Sequence, residues 1–240
     1  EYLRKSDANI ICLQEHNISP TAKIHLNAKE VEEGMKAYPY RHIQRVGQEN
    51  GNNRIAVYSR FPILSARKLQ YDSSYNGSAI YELKINEDTI TLINNHLESN
   101  KLTKADKAVY EEMLKDPNAH KVKSGTQHLV GKLAEASAIR AKQADVIAAE
   151  IAASRHPYII VCGDFNDTAI SYTHRVIAEK LDDAFTESGQ GLGISYNQNK
   201  FYFRIDNILI SKSLRAYNCT VDRSIKDSDH YPIWCYVAKR

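Results

Sequence analysis

The chain has 240 residues, 42% hydrophobic and 25% charged, with a formal net charge of +3, which suits one domain large enough to bury a real core. That charge is too mild to announce a nucleic-acid binder, and no apolar run approaches the ~20 residues of a membrane span. The four cysteines, at 12, 162, 219 and 235, form no Cys-x-x-Cys zinc pattern, and those at 12 and 162 lie inside apolar runs, so buried thiols are expected rather than disulfides.

Residues 1–6 read as the end of a helix that turns at Asp7 into a short apolar strand, Asn9-Ile-Ile-Cys-Leu-Gln-Glu15. Residues 20–38 are polar and helical in tendency. A Gly/Asn-rich loop holding Gly47, Gly51, Asn52 and Asn53 precedes a strand from Arg54 to Ser59. Arg54 is read as either a phosphate contact or a solvated surface group. Residues 71–83 alternate around Ser73 to Gly77 and predict a hairpin. A β-branched strand then runs from Thr89 to His96.

Residues 99–132 look like a helical insertion. Lys101, Lys104 and Lys107 fall at helical spacing, and the stretch carries seven Lys against four acids. It reads as a solvated face or as a grip on a polyanionic substrate. A loop at Gly125 is expected to lead to the clearest helix, over residues 127–154. There Ile139, Val146, Ile147 and Ile151 form one apolar stripe, and Arg140 and Gln143 share a face.

Tyr158 to Cys162 is an unbroken apolar run, which predicts a strand buried on both faces. Gly163 ends it at a sharp bend, directly before Asp164 and Asn166. A short helix follows over residues 171–181, then a strand over residues 201–211 containing Arg204-Ile-Asp206. Ser228-Asp229-His230 opens the last strand. Gly-Asp-x-Asn is good turn chemistry by itself. Yet five strands each deliver one acid, amide or imidazole at an end, where α/β sheets place ligands, and five such deliveries are hard to assign to caps.

The ordered set Leu-Gln-Glu15, Asn-His-Leu97, Gly-Asp-Phe-Asn166, Arg-Ile-Asp206 and Ser-Asp-His230 resembles the endonuclease/exonuclease/phosphatase superfamily, the metal-dependent phosphoesterases related to pancreatic deoxyribonuclease. The resemblance implies an α/β fold, a four-layer sandwich of two packed mixed β-sheets with outer helices, as a single catalytic domain over residues 1–240. It also implies a first core strand ahead of residue 1, in a longer protein that carries a membrane anchor in similar bacterial chains. Arg140 and Gln143 are expected to be structural supports beneath the motif strands.

Glu15, Asp164, Asn166 and Asp229 are hard oxygen donors, which suit Mg2+, with Mn2+ as a substitute, and not zinc. Glu15, Asp164 and Asp229 are the expected metal ligands, Glu15 first on the resemblance. Asp164 would orient or deprotonate the attacking water, and Asn166 would hold that water or a phosphate oxygen. The resemblance pairs Asp206 with His230, as base or as support for the pentacoordinate phosphorane. His96 is the candidate for protonating the leaving oxygen or for binding phosphate. The other seven histidines default to the surface. The expected function is a Mg2+-dependent phosphodiesterase, a nuclease or nucleotide phosphodiesterase, with a phosphate ester, nucleic acid included, as substrate. The rivals are a lipid or inositol phosphoesterase and a binding module without turnover.

Overall fold

The apolar run at Tyr158 forms β7 (Tyr158–Asp164), and β6 (Asp88–His96) lies parallel beside it, Ile93 opposite Val161 and His96 opposite Asp164. In the computed structural model, which describes residues 1–18, 26–48, 51–115, 120–198 and 201–240, this pair is the centre of a six-stranded mixed sheet. Beyond β6 follow β5 (Gly77–Ile85) and β4 (Ile63–Lys68). Beyond β7 follow β9 (Asp206–Ser211) and β8 (Leu181–Asp183). Each is antiparallel to its neighbour.

Alternation of side chains gives this sheet two apolar faces. One, through Ile93, Ile159, Val161 and Leu209, packs on Ala144, Ile147 and Ile151 of α4 (His120–Ala153) and on Ile177 of α5 (Tyr172–Ile177). The other, through Ala79, Tyr81, Leu83, Ile90 and Leu92, meets Ile55 and Val57 of β3 (Arg54–Ser59). β3 is the middle of three antiparallel strands, between β1 (Ile10–Leu13) and β2 (Tyr40–Arg45). Ile11, Ala56 and Tyr58, on the far side of that sheet, are covered by Met35 and Tyr38, just past α2 (Ala28–Gly34). The layers therefore run helix, sheet, sheet, helix, as expected. A separate antiparallel ladder, β10 (Leu214–Val221) with β11 (Ile233–Lys239), packs with α6 (Ala184–Ser188) around Phe185, Ile210 and Cys219. α1 (Tyr2–Lys5) matches the predicted helix end, and α3 (Lys104–Lys115) lies within residues 99–132. Among the described residues no helix is long and apolar enough to cross a membrane.

Several local expectations change. The second layer is antiparallel throughout and comes in two pieces among the described residues. Tyr158 and Ile160 pack against both pieces and stay half-buried, so β7 is fully buried on one face only. The hairpin partner of β5 is β4, because Tyr71 turns inward, its hydroxyl donating to Ser78 Oγ at 2.6 Å. Gly125 lies inside α4, where a Cβ would meet Val109 Cγ1 at 2.7 Å. It breaks nothing; it lets α3 approach α4. Lys101 precedes α3 with a left-handed φ of 50°, so only Lys104 and Lys107 share helical spacing. All four cysteines are free thiols, and only Cys219 is fully buried.

Candidate active site

Strand register assembles the site. Across β6, β7 and β9, His96 lies opposite Asp164 and Asp164 opposite Asp206, so three neighbouring strands present one row at their ends. His230 extends the row, its Nδ1 2.8 Å from Asp206 Oδ2. One ligand atom from each of Asp164, Asp206 and His230 lies within 4.8 Å of the others. From the facing sheet comes Glu15, just past β1. Its Oε1 is 3.9 Å from His96 Nε2, which is 3.7 Å from Asp164 Oδ2. His96 thus stands between the two carboxylates.

The backbone is bent to make this possible. Glu15 and Asn166 take left-handed φ values of 52° and 50°. That turn lets Asn166 donate its backbone N–H to Asp164 Oδ1 at 2.7 Å and its amide to Asp164 Oδ2 at 2.9 Å and Leu97 O at 3.0 Å. Gly163 does not end the strand as expected but lies inside β7, in register with Asn95 and Asn207, and at φ 123° it passes so close to β6 that a Cβ would sit 2.1 Å from Asn95 O. Gly163→Ala is expected to destabilise the fold by about 3 kcal/mol, strain and overpacking together. A urea midpoint equal to wild type would contradict that reading of the bend.

The two histidines sit in opposite electrostatic settings. Burial, and then the positive charge of His230, push the His96 pKa down to about 4. Its Nδ1 lies 3.4 Å from Asn53 Nδ2, which also donates to Tyr75 O at 3.1 Å. Nε2 faces Glu15 and Asp164. At His230 burial works against the charged ring, but the Asp206 hydrogen bond and the charges of Asp206, Asp164 and Asp229 outweigh it and raise the pKa to about 10. Burial, and then the neighbouring Asp206 charge, lift Asp164 well above the usual carboxylate range.

The structure brings Glu15, His96, Asp164, Asn166, Asp206 and His230 together. Asp229 is exposed at the rim and stands outside the Asp164–Asp206–His230 group. Arg140 and Gln143 are supports: Arg140 donates to Glu98 O at 2.9 Å and Asp167 Oδ2 at 3.1 Å, and Gln143 Oε1 accepts from Glu98 N at 2.9 Å. Arg204 is bidentate on Asp183, at 3.0 and 2.7 Å, and belongs to the core beside the site. Two histidines assigned to the surface are buried, His16 against Tyr58 OH at 2.8 Å and His174 against Asp183 at 3.0 Å. Each exchanges water for a specific partner. Sequence reasoning missed Asn53, whose place in a run of Gly and Asn looked like loop composition. It also missed Ser195, whose Oγ accepts the Asp206 N–H at 3.0 Å.

The donors suit a hard divalent cation. Glu15 and Asp164 lie on either side of His96, and Asp164, Asp206 and His230 are close enough to one another to share an ion. Glu15 projects outward, its side chain 64% exposed.

A family model described as endonuclease/exonuclease/phosphatase family matches residues 1–230. Among solved structures, zebrafish (D. rerio) TDP2 complexed with single-strand DNA product has a TM-score of 0.65 and 18% identity, over 99% of this chain and 89% of that one. A Bacteroides vulgatus endonuclease/exonuclease/phosphatase has 0.64 and 14%, over 100% and 88%. The human Nocturnin catalytic domain with bound sulfate has 0.62 and 14%, over 97% and 81%. At these identities the likeness is one of fold. No curated protein matches the chain in sequence.

Proposed function

The chain belongs to the endonuclease/exonuclease/phosphatase family, hydrolases of phosphoric ester bonds, and from that premise we propose a Mg2+-dependent phosphodiesterase, a nuclease or nucleotide phosphodiesterase. The observation that carries this reading is the row His96–Asp164–Asp206–His230, with one neutral and one charged imidazole on either side of a carboxylate pair. Hydrolysis of a phosphodiester needs a water held in line with the leaving oxygen and donors for the charge that gathers on phosphorus.

Asp164 accepts a hydrogen bond from that water and takes its proton. Asn166 fixes the carboxylate's orientation through two hydrogen bonds. His230, kept charged by Asp206, donates to a non-bridging oxygen and supports the phosphorane; a ring already protonated cannot be the base. His96, uncharged in the neutral pH range, binds a phosphate oxygen, and the leaving oxygen takes the proton that Asp164 removed from the water. A divalent ion held by Glu15 and Asp164 would act as a Lewis acid on the phosphoryl oxygen. Asp229, at the rim, adds negative potential toward His230.

Turnover of bis(p-nitrophenyl) phosphate, p-nitrophenyl phosphate and an oligonucleotide, each with Mg2+, with Mn2+ and with chelator, tests the proposal. The expected pattern is metal-dependent cleavage of both diesters, faster than the monoester. Failure to cleave any diester in either metal would end this reading.

A further inference from the structure

A row of aromatic rings leads away from His230. Tyr196 lies edge-on to the His230 ring, centroids 5.1 Å apart. Its backbone bridges His230 on one side and Phe203 on the other. Residues opposed across an antiparallel bridge carry their side chains on one face. The Phe201 ring lies 6.2 Å from that of Phe203 and stacks on Tyr110 of α3 at 3.9 Å and 23°. One turn earlier on α3, Lys107 places Nζ 3.0 Å from Tyr196 OH and 5.8 Å from the ring centroid.

None of these rings takes part in the chemistry above. Packing of the insertion accounts for Tyr110 and Phe201, which cover each other. It does not account for Phe203, 39% exposed between that stack and Tyr196. Single exposed aromatics are ordinary. Two ring contacts joined by the Tyr196–Phe203 backbone bridge, starting at a reacting histidine and with a lysine laid along the first, are a different arrangement.

We propose that this row is a base-stacking subsite, in which an unpaired nucleobase attached near the scissile phosphate lies against Phe203. Neighbouring strands are ~4.8 Å apart, so the Phe203 backbone stands two spacings from that of His230, within reach of a base whose phosphate is held at the histidine. A ring face accepts any base by stacking and needs that base's own face free. The substrate class is therefore single-stranded nucleic acid, or the frayed end of a duplex, with little sequence preference. Lys107 supplies positive charge for the phosphate backbone. This deepens the phosphodiesterase reading and rests on it.

A short single-stranded oligonucleotide carrying 2-aminopurine, titrated in chelator so that nothing is cleaved, reports stacking as fluorescence quenching. Wild type is expected to quench it and to bind the single strand more tightly than the matching duplex. Phe203→Ala should lose the quench and bind about tenfold more weakly, and Phe203→Trp should restore both. An oligonucleotide with an abasic site at the probe position should bind wild type and Phe203→Ala alike. Unchanged quenching in Phe203→Ala, an equal penalty on the abasic strand, or a preference for duplex overturns the proposal. Absence of diester cleavage by wild type in Mg2+ or Mn2+ would instead remove the phosphodiesterase reading, and the stacking titration would still return its own result.

Discussion

Replacing Asp206 by Asn is expected to lower kcat by about 10²–10⁴-fold and to introduce a pH dependence near neutrality. In the wild type the His230 pKa is raised to about 10, so its ring is charged throughout the neutral range. An amide in place of the carboxylate removes both the charge and the charge-assisted hydrogen bond at 2.8 Å, while the burial that opposes ionisation remains. The folded-state pKa then drops, and the active imidazolium is present only on the acid side. Activity of the variant should fall as pH rises through that lowered value, a loss on the alkaline side that wild type does not share. The same linkage acts on stability. In wild type the contribution of charged His230 is complete below the unfolded pKa of about 6.5 and is lost as pH rises through about 10. Profiles of kcat from about pH 5 to 9 on an activated diester decide it. Parallel profiles for the two proteins would mean that His230 does not act through its charge.

Glu15→Ala is expected to bring turnover close to background while leaving the fold intact. The side chain is 64% exposed and lies 3.9 Å from Nε2 of the neutral His96 ring, so stability should stay within about 0.5 kcal/mol. Lewis-acid assistance to a phosphoryl oxygen is worth several kcal/mol, and each ~1.4 kcal/mol is a factor of ten in rate. Calorimetric titration with Mg2+ and Mn2+ separates this from a role in substrate binding. The variant should lose most of its metal affinity, and Glu15→Gln, which keeps an oxygen without the charge, should fall between. Equal metal affinity in wild type and Glu15→Ala would remove Glu15 from the ligand set.

How much of this was readable in advance differs from element to element. β6, β7 and β1 were readable because their apolar runs end in residues that no core would accept unpaired: His96, Asp164 and, one position past Gln14, Glu15. α4 was readable from its stripe, since Ile147 and Ile151 recur at helical spacing and do pack on the sheet. Gly125 misled because its composition marks a breaker, whereas its reason lies in Val109, on another helix. The β4–β5 pairing was missed for a related reason. A hairpin's partner is chosen by register and burial across the sheet, and the nearer segment at Tyr71 satisfied itself on Ser78 instead.

The sequence by itself determined the strand ends and the residue types delivered there, because each is a local consequence of polarity and turn chemistry, and through the resemblance its ordered motifs carry it implied the layered class of the fold. The tertiary structure alone decided what those residues are. The same imidazole is neutral at His96 and charged at His230, since one ring is buried beside Asn53 and the other beside Asp206. The aromatic row is likewise invisible along the chain, because Tyr110 and Phe201 meet only when α3 folds back over the loop. Burial, partner charge and ring contact are properties of neighbours in space, and a linear pattern holds no record of them.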